Sequence, residues 1–311
     1  MSIVRMVVHV RWIIVLLAAL ALAGPAPAAT TAKQTMFDTP EAAVDGLMES
    51  LRKGDSKALT AILGPSSESL VSSGDPVEDN RARGKFVAEY DKAHRLAAGG
   101  GKIVLYVGPD DFPFPIPVVP DGDKWRFDTP AGKEEILNRR VGRNERAAIQ
   151  VMLAYVDAQR EYYARDRKQG ELHEYAQRLA STPGKRDGLY WESKPGEPQS
   201  PFGTLAARAR AEGYGVSHGR APFHGYYYRI LTAQGPEATG GASDYIANGH
   251  MIGGFAMVAF PAHYGVSGVM TFIVSHDGVV YQKDLGPNTA KLAEQMKRFD
   301  PDKGWQKVTP N

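Results

Sequence analysis

Between Arg143 and Arg165 the apolar residues recur with a helical period that no proline interrupts. Ala148, Ile149, Met152, Tyr155, Val156, Gln159 and Tyr163 fall on one stripe of about four turns. Arg143, Glu145 and Arg146 keep its start soluble. A helix with one apolar face must bury that face against another element. The partner offered downstream is β-rich: Tyr226 to Thr232, Met251 to Phe260 and Val269 to Val274. Val269 to Val274, Asp277-Gly278 and Val279 to Tyr281 read as a hairpin with a type I′ turn. The C-terminal half is therefore expected to place a long helix on an antiparallel sheet.

The N-terminal half reads differently. Thr39 is a good N-cap, Pro40 suits the first helical position and Glu41 favours the dipole. Val44, Leu47, Met48 and Leu51 follow at i, i+3, i+4 and i+7, and Gly54 ends the helix. Ser56 to Leu63 is a second short helix. A third is expected from Asp79 to Leu96, stopped by Gly99-Gly100-Gly101. Lys102 to Val107, Ile116 to Val119 and Lys124 to Phe127 form a meander, the middle run demoted to an edge by its flanking prolines. Thr129-Pro130 repeats the Thr39-Pro40 cap and opens a helix to Arg140, with the long helix starting after Gly142. Residues 183–223 read as Gly/Pro-rich loops around a helix from Leu205 to Glu212, and 234–243 as a glycine-rich loop. Asn288 to Lys297 closes the chain as a helix with Leu292 and Met296 inward. The fold class is α+β. The expected divisions are 1–28 signal peptide, 29–36 flexible leader, 37–128 N-terminal module and 129–311 C-terminal module.

The first 28 residues have the layout of an export signal: Arg5 and Arg11, an apolar run from Trp12 to Ala23, then Ala26-Pro27-Ala28 before the cut. Cleavage after Ala28 and a periplasmic or secreted location are expected, with no stable transmembrane segment remaining. Arg5 and Arg11 account for the whole formal charge of +2, so the mature chain is neutral and lacks the charge that draws proteins to nucleic acid. Cysteine is absent, which removes disulfides, thiolate metal sites, cysteine nucleophiles and a lipidated cysteine. The 43% of hydrophobic residues supports a core large enough to do without such staples.

Chemistry-bearing motifs are sparse. The mature chain carries His94, His173, His218, His224, His250, His263 and His276, without an H-E-x-x-H pair. Asp166 to Glu171 lacks the alternating oxygen ligands of a calcium loop, with Lys168 at the third position. Gly265-Val266-Ser267-Gly268 lies between strands and reads as a turn, not a nucleophile elbow. Neither a metal nor a cofactor is expected. Aromatic residues are the most suggestive group. Tyr190, Trp191, Tyr226 and Tyr228, with Arg220 nearby, are the candidate ligand- or partner-binding residues. Tyr226 and Tyr228 share one face of a strand. Core packing and a binding groove both account for such a cluster.

The stretches FDTPAGKEEILNRRVGRNERAAIQVMLAYVDAQREYY, STPGKRDGLYW, GYYYRILTAQGP and GHMIGGFAMVAFPAHYGVSGVMTFIVSHDGVVYQKDLGP resemble an uncharacterised bacterial family, domain of unknown function 2950. The resemblance covers nearly the whole mature chain. It implies an exported protein and carries no assigned activity or functional residue. At fold level, the long helix followed by a sheet ending in FIVSHDGVVY is similar to the heads of pilin-like proteins. The N-terminal part is similar to nuclear-transport-factor-2-like or cystatin-like domains. The leading expectation is a non-catalytic exported protein that binds an envelope protein or a small ligand. The rivals are a cofactor-free hydrolase using His224, His250 or Asp244, and a pilin-related assembly component, which would need a retained N-terminal apolar helix.

Overall fold

Thr39 opens the first helix as a cap: its Oγ1 accepts a hydrogen bond from Ala42 N at 3.1 Å, and Gly54 closes the helix at φ 66°. The computed structural model describes residues 33–165, 172–215 and 221–309, all within one unit. Its N-terminal helices are α1 (Pro40–Lys53), α2 (Ser56–Leu63), α3 (Glu68–Val71) and α4 (Pro76–Lys92). They precede a five-stranded antiparallel sheet of β1 (His94–Gly99), β2 (Lys102–Val107), β3 (Phe112–Pro113), β4 (Val118–Asp121) and β5 (Lys124–Phe127). The strand order is β1-β2-β4-β5, with β3 pairing with β2. Leu47 and Met48 of α1 and Leu59 and Ile62 of α2 share a core with Leu105, Val118 and Phe127 of the sheet.

A single helix, α5 (Thr129–Ala164), then runs for 36 residues. Its start contributes Ile136 to the first core, and Ala148, Met152, Tyr155 and Val156 to a second. After α6 (Gly203–Ala211) come β6 (Tyr226–Leu231), β7 (Ala233–Gln234), β8 (Ser243–Asp244), β9 (Ile246–Ala247), β10 (His250–Met251), β11 (Ala256–Pro261), β12 (Met270–Ser275) and β13 (Val280–Asp284). α7 (Thr289–Gln295), β14 (Arg298–Phe299) and β15 (Gln306–Lys307) complete the described chain. The main sheet has the order β15-β13-β12-β11-β6 and is antiparallel throughout. All six residues of β11 are buried, so both faces of this central strand are covered; α5 and α7 both pack against it. Short β14, β7 and β8 form a separate three-stranded ribbon, and β9 and β10 a hairpin.

The structure corrects several local expectations. Gly142 does not break the helix, and α5 is continuous from Thr129. One interior glycine costs only about 1 kcal/mol against alanine, while contacts on both sides of Gly142 hold the helix. On its C-terminal side, the Asn144 side chain donates to Ser267 O at 2.8 Å. Thr129 does not repeat the cap of Thr39: it is buried, and its Oγ1 donates to Leu63 O at 2.6 Å. The third helix stops at Lys92, and residues 94–99 pair with β2 instead. The turn between them is Gly100-Gly101 at φ 61° and 74°, so these glycines form a hairpin rather than a helix stop. The positive φ pair that type I′ geometry requires occurs there, at Asn248-Gly249 (51° and 84°) and at His224-Gly225 (51° and 75°). At Asp277-Gly278 only the glycine has positive φ, and the β12–β13 connection is longer. Tyr163 lies off the buried stripe at 38% exposure, and in α7 Ala293, not Leu292, faces inward.

Candidate functional site

α4 is buried at its two ends and half-buried at Phe86 and Val87, which pack against the first core. Asp75, Glu78 and Asp79 are buried at one end and Tyr90 at the other, while no residue from Asn80 to Glu89 is buried. The helix is amphipathic in a weak sense only, because its middle carries Arg81, Arg83 and Lys85. Between it and α5 lies a cleft of about 760 Å³. That volume is in the range of sites for small organic molecules, roughly 300–1,000 Å³. Glu78, Ala82, Phe86 and Glu89, spaced by three or four residues, line the α4 wall, and Ile136, Arg139, Arg140 and Arg143 line the α5 wall. The floor is apolar: Leu47, Leu51, Leu59 and Leu63 from α1 and α2, Leu70 and Val71 from α3, and Val107, Phe114 and Ile116 from the sheet side.

Close packing fixes the walls. A Cβ on Gly132 would stand 2.3 Å from Pro115 O and 2.7 Å from Ile116 N, so only glycine lets the first turn of α5 lie on the loop that carries these lining residues. Arg140 is 9% exposed, and its two terminal nitrogens donate to Ser69 O and Leu70 O at 2.6 Å each. Burial pushes its pKa below the usual arginine value, with Asp79 opposing. Arg140 is thereby committed to holding α3, with Leu70 and Val71, against α5. The Gln34 side chain donates to Ile62 O and Phe127 O at 2.8 and 2.9 Å and fixes the end of α2 against the sheet.

The N-terminal end of α4 is anchored by one carboxylate. Asp75 Oδ1 caps the helix by accepting from Glu78 N at 3.1 Å. Its Oδ2 accepts from Tyr214 Oη at 2.8 Å and from Gly225 N at 2.9 Å. Tyr214 Oη in turn accepts from His224 N at 3.2 Å, and His224 Nε2 lies 3.2 Å from Glu212 Oε2. Burial, then the Asp75 charge, pushes the Tyr214 hydroxyl far above its usual pKa. Burial also lowers the pKa of His224, against the pull of Glu212, Glu78 and Asp75.

The aromatic candidates occupy different places. Tyr226 is fully buried, its ring 5.8 Å from that of Phe272 and its hydroxyl donating to Met270 O at 3.0 Å. Tyr228 donates to Phe223 O at 3.3 Å, and burial raises its pKa well above normal. Trp191 is 8% exposed and carries the Arg165 and Arg186 guanidiniums 4.2 and 5.6 Å from its ring centroid. Tyr190 accepts a hydrogen bond from Arg210, whose guanidinium also lies 5.4 Å from the Tyr190 ring centroid. Arg220 lies outside the described residues, as does the Asp166 to Glu171 segment. None of Tyr190, Trp191, Tyr226 and Tyr228 lines the α4–α5 cleft.

The residues weighed for catalysis are also dispersed. His224 pairs with Glu212, His250 Nδ1 lies 2.9 Å from Glu174 Oε2, and Asp244 is exposed in β8. Ser267 is buried in a turn, where its Oγ accepts from His263 N at 2.9 Å. Among the described residues no group of three or more His, Asp or Glu is placed to hold a metal ion. No helix of the described residues is long and apolar enough to cross a membrane.

The cleft was hard to anticipate because its lining comes from residues 47 to 143 and from seven elements. One signal did exist: Arg139, Arg143 and Arg146 recur at i, i+4 and i+7 and set a cationic face on α5. No curated protein and no solved structure matches the chain. The family model described as Protein of unknown function (DUF2950) matches residues 34–308, nearly the whole chain, and the protein belongs to that family.

Proposed function

We propose that this is an exported binding protein that holds a largely apolar small ligand in the cleft between α4 and α5. The observation that carries the reading is the apolar floor between α4 and α5, exposed in an open cleft of about 760 Å³. Apolar surface lining an open cleft stays in contact with water, and an apolar occupant would remove it from that contact. Export is supported by the n-region, apolar run and Ala-x-Ala arrangement at the N-terminus. Binding is favoured over catalysis because the floor of the cleft is apolar, and His224 and His250 lie outside it.

The test uses an apolar dye whose fluorescence rises on leaving water. Ala82 is exposed on α4 and lines the cleft, so Ala82→Trp fills the space without disturbing a buried position. The native protein should enhance the dye and Ala82→Trp should not, with equal Tm values. Equal enhancement by both proteins would place the dye elsewhere and refute the reading.

A further inference from the structure

The rim of this cleft is cationic, and its charges are not equally engaged. Arg81 is forked onto Glu78 through two hydrogen bonds of 2.8 Å. Arg139 donates to Glu135 Oε1 at 2.6 Å and lies 4.5 Å from the centroid of the Phe112 ring. Arg140 is spent on two backbone carbonyls. Arg143 differs. Its Nη1 donates to Arg139 O at 3.3 Å, and among the described residues no carboxylate stands within 4.0 Å of it. Among the described residues its Nε and Nη2 make no hydrogen bond, and the residue lines the cleft.

The surroundings of Arg143 make that position consequential. Burial lowers its pKa, Glu78 opposes, and Arg81, Arg146 and Arg139 add like-charge repulsion. A cation packed among cations at the lip of an apolar cavity is stabilised by an anion that brings its own apolar body. The Nε/Nη2 edge of a guanidinium matches the two oxygens of a carboxylate side by side, a charge-assisted pair with fixed geometry. Behind it, Phe86, Leu70, Val71 and Ile136 offer an apolar wall. The volume suits a drug-sized molecule, and so a single chain rather than a two-chain lipid.

Resting on the cleft as a ligand site, we infer that its occupant is a single-chain anionic amphiphile, a long-chain carboxylate, with the head on Arg143 and the chain over the α1–α3 floor. Arg83 and Lys85, without an ion pair among the described residues, supply supporting positive potential, and Arg140 keeps its structural bonds. Ligands of opposite head charge are rejected by the same cations.

The experiment compares three probes of one chain length, dodecanoate, dodecanol and dodecyltrimethylammonium, by displacement of the apolar dye from the full chain below their aggregation concentrations. Dodecanoate should bind at least tenfold more tightly than dodecanol, and the ammonium probe most weakly. Arg143→Gln should bring dodecanoate to the affinity of dodecanol while leaving dodecanol unchanged. Arg143→Lys should restore part of the preference and shows that loss in the glutamine variant is not misfolding. If dodecanol and dodecanoate bind the native protein equally, or if Arg143→Gln keeps the preference, the head-group assignment is overturned while the cleft stands. If no probe displaces the dye, the cleft reading itself fails, and this inference with it.

Discussion

Replacing Asp75 by alanine should separate two roles that one carboxylate combines. The first role is a helix cap, worth about 1 kcal/mol in most hosts. The second is reception of Tyr214 Oη and Gly225 N on the other oxygen, at 2.8 and 2.9 Å in a buried setting. Hydrogen bonds to a charged group contribute about 1.5–3 kcal/mol each. The three effects overlap because they share one side chain, so the loss should be roughly 3–5 kcal/mol rather than their full sum. Thr39→Ala is the internal reference. Thr39 caps α1 through one exposed hydrogen bond that its Oγ1 accepts from Ala42 N, so its loss should cost about 1 kcal/mol. The assay is reversible urea unfolding of the native protein and both variants, with Tyr214→Phe and the Asp75→Ala/Tyr214→Phe double variant completing a cycle. A coupling energy of about 1 kcal/mol or more between Asp75 and Tyr214 is expected for residues in direct contact. If Asp75→Ala costs no more than Thr39→Ala, or the cycle closes with no coupling, the carboxylate is only a cap and α4 is not anchored through it.

Gly132→Ala should lower stability by about 1–3 kcal/mol, the usual cost of forcing a methyl into packed surroundings. Here the obstruction is the backbone of Pro115 and Ile116, and calorimetry would show a reduced Tm; an unchanged Tm would mean that the α5 contact yields easily. The depressed pKa of His224 sets a sign for pH dependence. The unfolded chain takes up this proton near its ordinary value, about 6.5, before the folded protein does. Stability should therefore fall as pH drops from about 7 toward 5. His224→Gln should flatten that part of the Tm-against-pH curve, and a curve of unchanged slope would remove His224 as the group responsible.

Where a boundary has a local chemical cause, the chain displays it. α1 and α2 and strands β2 and β5 run between the residues read from capping, periodicity, a β-rich run and, for β5, the Asp121-Gly122-Asp123 turn before it. β1 has no such signal: His94 to Gly99 is a poor strand sequence, and it is extended because Leu96 and Ala97 pair with Leu105 and Val104 of β2. Asn248-Gly249 carried a strong local turn signal, but the flanking strands are only two residues long and leave almost no alternation to read. Tyr226 and Tyr228 show the limit for surfaces. Alternation correctly puts them on one face, but whether that face meets protein or solvent is decided by partners such as Phe272 and Phe223, distant or close in sequence. The cleft belongs to the same class of feature, since its lining is gathered from segments far apart in sequence and leaves no mark on α4 itself beyond a weak apolar stripe.

The unbroken length of α5 bears on how the chain reaches this state during synthesis. Its early turns find partners already made, in the carbonyls of Leu63, Ser69 and Leu70. Its later turns wait: Tyr155 Oη meets Ala256 O across 101 residues, and the Asn144 side chain meets Ser267 O across 123. Contacts of such separation form late and slowly. A nascent chain thus presents the apolar stripe from Ala148 to Tyr162 for as long as it takes β11 and β12 to emerge, the interval in which an unfinished protein is most exposed to aggregation. The segment that joins the two cores in the finished molecule is, in the unfinished one, an apolar face still without its cover.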